Sequence, residues 1–256
     1  MKTTQQYNRT GTKSYTLKCH TLIWVTLFSV AMAMLESSVV IYLRELYYPG
    51  GFRFPLQATS ATIAVTEMLR ELATLIMLLG IGMLVGKNKS GRFAWFIYTF
   101  AIWDLFYYVF LYLIIGWPLS LLDWDVLFLL PIMWTGPVWA PVLLSVLMII
   151  LALLILFFER HRHNSNLKTS EWILLIMGAI TVIVAFCKDY YLFMVTHFSS
   201  IPATQLFFSE HSIGYSTQYV PVRFDVVLFL FGCVVISIGI GIYVFRNIKE
   251  VKLAMH

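Results

Sequence analysis

The sequence predicts an all-α membrane protein, a bundle of six transmembrane helices with the N- and C-termini on the cytoplasmic side. Three observations lead to this fold class: the composition, the lengths of the apolar runs and the positions of lysine and arginine. Of the 256 residues, 60% are hydrophobic and 12% are charged, and the mean hydropathy is +0.81. Soluble domains carry about 25% charged residues, so the composition indicates a multi-pass protein of the cell membrane, surrounded by lipids.

Six apolar runs are each long enough to cross the bilayer. A helix needs about 20 consecutive apolar residues to span the hydrocarbon core. The runs cover residues 22–43, 58–85, 93–115, 137–158, 172–197 and 224–245. They place a six-helix transmembrane domain at 21–246, between a polar, basic N-terminal tail at 1–20 and a short C-terminal tail at 247–256.

Lysine and arginine set the predicted orientation. With a cytoplasmic N-terminus, thirteen of the 18 basic residues fall in inner segments, and the outer segments hold Arg44, Arg53 and Arg223. Basic residues concentrate on the cytoplasmic side of membrane proteins, so both termini are predicted to be cytoplasmic. The same pattern accounts for the net charge of +5. Because the basic residues are scattered over short loops and form no single soluble surface, no nucleic-acid partner is predicted.

The first apolar run has two interpretations. Lys13 and Lys18, the apolar residues 22–30 and the small residues at 31–33 resemble the three parts of a cleavable signal peptide. The apolar sequence, however, continues to Leu43, which gives a full membrane-spanning length. The sequence therefore favours a retained first helix over a cleaved one.

The segment between the third and fourth spans is aromatic and rich in proline. Its prolines exclude one continuous helix, because proline lacks the backbone N–H that an interior helix position needs. A short interfacial or re-entrant helix is predicted at 120–130, with Asp123 near its start, where a carboxylate suits the helix dipole. Four tryptophans indicate the headgroup level: Trp117, Trp124, Trp134 and Trp139. The segment is interpreted either as an anchoring belt or as a lid over a site.

A second outer segment, 199–224, is the most polar stretch beyond the N-terminus. It is too long for a simple turn, and loops of that length often form lids or binding surfaces. It is therefore a second candidate for covering a site at the outer face.

The second span carries a stripe of polar residues along one face. Glu67, Arg70 and Glu71 are three and four residues apart, which places them on the same face of a helix. Threonines continue the stripe in both directions: Thr59, Thr62, Thr66 and Thr74. Lipid cannot satisfy such groups, so the stripe is predicted to face protein or a water-filled cavity.

Other spans supply polar groups at similar depth, and these are predicted to meet the stripe in one cluster. A rise of about 1.5 Å per residue puts Glu36 roughly 10 Å below the outer end of the first span and Lys188 about 12 to 14 Å inside the fifth. The predicted binding or transport cluster consists of Glu36, Glu67, Arg70, Glu71, Asp104, Tyr108, Lys188 and Asp189.

The spans contain more acids than bases. Five carboxyl groups accompany Arg70 and Lys188, so full ionisation would leave a net charge of −3 in a region of low dielectric constant. Protonated carboxyl groups, a bound cation or a water-filled cavity would relieve that excess. The excess favours a site for a solute, proton or substrate. The alternative is a structural network in which buried ion pairs fix the packing of the helices.

Several chemistries are excluded by the sequence. No histidine lies well inside a span, so a haem held by two histidines within the bilayer is not expected. No zinc-protease, hydrolase-nucleophile, P-loop or dinucleotide motif is present. The three cysteines are too widely spaced for a zinc site and are interpreted as packing residues, so neither a metal nor a cofactor is predicted. In the last span, close helix contact is predicted at Gly232, Gly239 and Gly241.

Three hypotheses of function follow, each from a different class. The leading one is a channel or carrier whose acidic cluster binds a proton, a cation or a small solute from the outer side. The second is a membrane-embedded enzyme that acts on a lipid-like substrate, with a glutamate as acid or base. The third is an accessory subunit that assembles with other membrane subunits, in which the cluster only holds the bundle together.

Overall fold

In the computed structural model, six long apolar helices form a bundle with a small β-hairpin between them. The structure describes residues 7–161, 165–199, 201–202 and 211–254. The elements are α1 (Tyr7–Tyr47), α2 (Ala61–Val85), α3 (Lys89–Ile115), β1 (Trp124–Phe128), β2 (Trp134–Pro137), α4 (Trp139–His161), α5 (Thr169–His197), α6 (His211–Ser216) and α7 (Val226–Ala254). The predicted six-helix membrane fold is thus confirmed in its architecture, while the orientation of the termini stays a prediction.

The helices are long enough and apolar enough to span a membrane. The six candidate spans are His20–Tyr47, Ala61–Val85, Lys89–Ile115, Trp139–Arg160, Thr169–His197 and Val226–Lys249. Helix α1 begins at Tyr7 and α7 ends at Ala254, so helical structure extends into both segments predicted as tails. The end of the bundle that carries the segments 86–88 and 165–168 is called the inner end, and the opposite end is called the outer end.

Local sequence fixes the two ends of α3. The Asn88 side chain accepts a hydrogen bond from the Gly91 backbone N–H at 2.8 Å, which caps the first turn. Gly116 ends the helix in the left-handed conformation, at φ 66°, which glycine adopts without a steric penalty. Helix α3 then packs against α1, α2 and α4, which makes it the centre of one half of the bundle.

The segment after α3 forms a hairpin, and the prediction of a helix at 120–130 is wrong. Strands β1 and β2 pair antiparallel, with Trp124 opposite Pro137 and Phe128 opposite Trp134. The Asp123 carboxylate accepts hydrogen bonds from the backbone N–H groups of Leu119 and Ser120, at 2.7 and 3.0 Å. It therefore stabilises the preceding turn and does not cap a helix.

The hairpin lies between the two halves of the bundle. Phe128 packs with Trp103 of α3 in one aromatic cluster. Trp134 stacks on Phe186 of α5, with ring centroids 6.2 Å apart. A Cβ atom on Gly136 would lie 3.0 Å from the Phe186 ring, so glycine permits this approach. Tertiary packing on both sides thus favours the extended conformation here, which local sequence patterns did not reveal.

Helices α5 and α7 form the second half of the bundle through a close glycine contact. A Cβ atom on Gly178 would lie 2.6 Å from Ile236 Cγ1, and one on Gly232 would lie 2.8 Å from Val182 Cγ2. The predicted close approach at Gly232 is confirmed. A Cβ atom on Gly241 would meet no atom within 4 Å, so this residue is not part of the contact.

Gly232→Ala is expected to destabilise the bundle, because the added methyl group has to push α5 and α7 apart. Overpacking of this kind costs about 1 to 3 kcal/mol. Gly241→Ala is the matched control on the same helix and is expected to leave stability unchanged or to raise it slightly. The thermal unfolding midpoint of the purified protein in mild detergent measures both. Equal midpoints for the two variants would contradict the close contact.

Candidate functional site

Arg70 lies at the centre of a polar cluster between α1 and α2. Its Nη2 and Nε atoms donate to Glu67 Oε2 at 2.7 and 3.0 Å, one turn earlier on the same helix. Its Nη1 atom donates to Glu36 Oε1 on α1. Because one guanidinium group has several donors in a fixed fork, it can hold two carboxylates together. The Arg70 side chain is 20% exposed, so the pairs lie largely out of contact with the surroundings.

Glu71 joins the same cluster and connects it to the hairpin. Its two carboxylate oxygens accept hydrogen bonds from the Leu129 backbone N–H, at 3.2 and 2.9 Å. Leu129 directly follows β1, so this contact ties the tip of the hairpin to α2. Glu71 is 8% exposed. Among the ion pairs in the described residues, none involves Glu71.

The polar stripe of α2 turns inward over only part of its length. Thr74 is buried, and its hydroxyl donates to Glu36 Oε2 at 3.4 Å. Thr62 and Thr66 are exposed, and the Thr66 hydroxyl donates to the Thr62 backbone carbonyl at 2.7 Å. This bond within α2 satisfies the Thr66 hydroxyl without a partner from another helix. The name Arg70 cluster is used below for Glu36, Glu67, Arg70, Glu71 and Thr74.

The Arg70 cluster has an excess of acidic groups. The cluster contains three carboxyl groups and one guanidinium group, and two of the three carboxyl groups are ion-paired with it. With every group ionised, the cluster would carry a net charge of −2 in a poorly solvated region. Protonation of a carboxyl group, a bound cation or a water-filled cavity would reduce the cost of that charge.

A second buried ion pair lies at the outer end, and sequence reasoning missed it. Arg44 Nη2 donates to Asp125 Oδ1 at 3.1 Å, and both side chains are buried. The guanidinium group also stacks on Trp117 and Phe52, 3.8 and 4.4 Å from the ring centroids. Burial raises the pKa of Asp125, and the positive charge of Arg44 opposes that shift.

The sequence carried a signal for the role of Arg44. Arg44 follows Glu36 by eight residues, a spacing that keeps two residues on one side of a helix. The charge pattern assigned Arg44 to an outer loop because the predicted first span ended at residue 43. In the structure α1 continues to Tyr47, so Arg44 lies within the last helical turns and faces the hairpin.

Asp104 and Tyr108 lie on α3, away from the Arg70 cluster. Asp104 Oδ2 accepts a hydrogen bond from the Ser145 hydroxyl at 2.7 Å, which links α3 to α4. Tyr108 is buried one turn further outward, with its ring centroid 6.3 Å from that of Trp117. The hydroxyl of the adjacent Tyr107 donates to Asp125 Oδ2 at 3.5 Å, while Arg44 binds Oδ1. Of the two predicted residues of α3, Asp104 therefore forms an interhelical hydrogen bond, and Tyr108 packs against the rings of Tyr107 and Trp117.

Lys188 and Asp189 lie in the other half of the bundle. Lys188 Nζ donates to Asp225 Oδ2 at 2.5 Å, and the pair is partly exposed. This ion pair lowers the pKa of Asp225, which directly precedes α7. Asp189 accepts hydrogen bonds from the Tyr219 hydroxyl at 2.8 Å and from the Val222 N–H at 3.1 Å. Both residues therefore hold the segment before α7 against α5.

The structure thus brings together four of the eight residues predicted for one cluster and places the other four elsewhere. Glu36, Glu67, Arg70 and Glu71 meet between α1 and α2. The remaining four form separate contacts: Asp104 with α4, Tyr108 with Trp117, and Lys188 and Asp189 with the segment before α7. That separation corrects the expectation of a single meeting point, while the role of the residues in binding stays a prediction. The outer segment 199–224 is described only in part, since residues 200 and 203–210 lie outside the described ranges.

The inner end has a buried ion pair of its own. Arg246 of α7 donates to both carboxylate oxygens of Glu171 on α5, at 2.8 and 2.9 Å. Glu171 is 1% exposed and also accepts from the Lys168 backbone N–H at 2.8 Å. The bidentate geometry fixes α5 against α7 at this end. In this pair one guanidinium group balances one carboxylate, whereas the Arg70 cluster contains more acidic groups than basic ones.

Comparisons of the chain with protein-family models, with curated proteins and with solved structures find no match. The six long apolar helices fit an integral membrane protein.

Proposed function

We propose that this protein is a channel or carrier that binds and releases a proton or a small cation at the Arg70 cluster. The observation that carries the proposal is the imbalance of charge: Arg70 is ion-paired with two carboxyl groups, and a third, that of Glu71, follows it directly on α2 within the membrane-spanning part of the bundle. An uncompensated carboxylate is costly in such a region, so the cluster favours uptake of a positive charge.

Glu71 is the residue to which we assign the exchange. Glu36 and Glu67 both bind Arg70, which leaves Glu71 as the third carboxyl group. Its hydrogen-bond donor is the uncharged Leu129 backbone N–H. A proton or a cation on Glu71 would neutralise the cluster in part without breaking either ion pair of Arg70.

The hairpin would link the charge of Glu71 to access from the outer end of the bundle to the Arg70 cluster. An ionised carboxylate accepts a stronger hydrogen bond than a protonated one. Uptake of a proton by Glu71 would therefore weaken the bond to Leu129 and release the tip of the hairpin from α2. The hairpin packs between both halves of the bundle, so a change at its tip would alter the packing over the cluster.

Glu71→Gln is expected to abolish ion flux, because the amide cannot exchange a proton or balance a cation. The purified full chain is reconstituted into liposomes that contain a pH-sensitive dye, and proton flux is measured under an imposed potential, with Na⁺ and K⁺ gradients tested in parallel. We expect at least a tenfold loss of flux for Glu71→Gln. Glu45→Gln, a change of the same charge at an exposed residue of α1, is the control and should keep the wild-type flux.

A second candidate function is that of an accessory structural subunit. It is favoured by the observation that Glu36 and Glu67 are already paired with Arg70, as in a network that fixes helix packing. In that case the wild-type chain would show no flux above that of empty liposomes for protons, Na⁺ or K⁺. Other membrane subunits would then co-purify in mild detergent with the wild-type chain and equally with Glu71→Gln. This pair of results would contradict the channel or carrier proposal.

A further inference from the structure

An apolar cleft of about 590 Å³ opens between the inner ends of α1 and α2. Both helices pack against α3, which lies behind the cleft. Three exposed or half-buried apolar side chains, Trp24, Phe28 and Ile81, contribute to its walls. The full lining consists of His20, Thr21, Trp24, Val25, Phe28, Ile81 and Val85. The cleft is separate from the Arg70 cluster, which lies closer to the outer end of the same two helices.

The inner rim of the cleft is basic. Helix α2 ends at Val85, and the loop and first turn that follow carry the exposed Lys87 and Lys89. Arg92 Nε donates to the Gly86 carbonyl at 3.3 Å, which places this side chain beside the end of α2. The acidic group near this loop is Glu159, and its Oε1 atom accepts a hydrogen bond from Asn88 at 2.9 Å. Three basic residues therefore follow within seven positions of Val85, the last α2 residue in the lining of the cleft.

We propose that the cleft binds an anionic phospholipid, with one acyl chain between α1 and α2 and the phosphate group at Lys87 and Lys89. The walls are apolar apart from His20 and Thr21, which suits a hydrocarbon chain better than a polar solute. The basic rim attracts the net negative charge of an anionic headgroup, whereas a zwitterionic headgroup has no net charge and is attracted less strongly. Trp24 donates from its indole Nε1 to His20 Nδ1 at 3.1 Å, and this pair lies at the inner rim, where tryptophan favours the membrane interface.

The first test measures lipid preference by native mass spectrometry of the full chain in mild detergent. The probes are phosphatidylglycerol and phosphatidylcholine with identical acyl chains. We expect phosphatidylglycerol to bind about tenfold more tightly. The double variant Lys87→Gln, Lys89→Gln should remove that preference. The double variant Lys249→Gln, Lys252→Gln removes the same charge at the inner end of α7 and should keep it. Equal binding of both lipids to the wild-type chain would overturn the proposal.

The second test asks whether the cleft itself holds the acyl chain. Ile81→Trp fills the cleft from α2 and should reduce the binding of phosphatidylglycerol about tenfold. Ile76→Trp adds the same bulk at an exposed position of that helix, away from the cleft, and should leave binding unchanged. If Ile81→Trp instead abolishes a dimer and leaves lipid binding intact, the occupant is a helix of a second copy and the lipid proposal is wrong. Neither test depends on ion flux, so the result stands apart from the proposed function.

Discussion

Arg70→Gln is expected to lower the free energy of unfolding by about 3 to 5 kcal/mol, because it leaves two largely buried carboxylates without their counter-charge. Glu36 and Glu67 both bind the guanidinium group, and their mutual repulsion would then be uncompensated. Titration with sodium dodecyl sulfate in mixed micelles, followed by tryptophan fluorescence, measures the change. Arg53→Gln, at an exposed outer position, is the control and should change stability by less than about 0.5 kcal/mol.

A rescue variant separates lost charge balance from lost packing. Adding Glu36→Gln and Glu67→Gln to Arg70→Gln removes both orphaned charges, and stability should return to within about 1 kcal/mol of the wild-type chain. No recovery in the triple variant would mean that Arg70 stabilises the bundle through packing of its side chain. In that case the ion pairs would not be the main interaction between α1 and α2.

Arg44→Met is expected to cost about 3 to 5 kcal/mol at pH 8, with a smaller cost at pH 5. The change leaves Asp125 buried without its ion pair and removes the stacking on Trp117 and Phe52. Burial already raises the pKa of Asp125, and without Arg44 the pKa should rise further. A carboxyl group whose pKa is higher in the folded state favours folding at low pH, and that contribution is lost as the pH rises through the folded-state pKa.

The pH dependence has a direct control. In the double variant Arg44→Met, Asp125→Asn, position 125 no longer titrates, so the stability cost should be nearly the same at pH 5 and pH 8. Thermal unfolding midpoints at both pH values, for both variants and the wild-type chain, provide the measurement. If Arg44→Met lowers the unfolding midpoint as much at pH 5 as at pH 8, the titration of Asp125 does not explain the effect of removing Arg44.

The six spans were predictable because hydropathy is a local property of the sequence. Each predicted span overlaps one long helix of the structure. The contact of Glu67 with Arg70 was also local, since residues three apart lie on the same face of any helix. By contrast, the predicted boundaries were less accurate, and the early end assigned to the first span kept Arg44 out of the predicted site.

The hairpin was not predictable from the segment by itself. Prolines and tryptophans indicated an interruption of the helices, but a short apolar segment fits either a helix or a strand. The extended form is stabilised by contacts far apart in the sequence. Arg44, Glu71, Trp103 and Phe186 each bind or pack against it from a different helix.

By itself, the sequence determined that this chain has six segments long and apolar enough to span a membrane, with an acid-rich polar face on the second helix. Both properties depend on composition and on spacings within one helix. The tertiary structure decided which acids share Arg70 and which lie elsewhere, because the rotation and depth of each helix are set by its packing against the others. Glu36 and Asp104 illustrate the difference: similar depth in two spans did not decide that the first would bind Arg70 and the second Ser145.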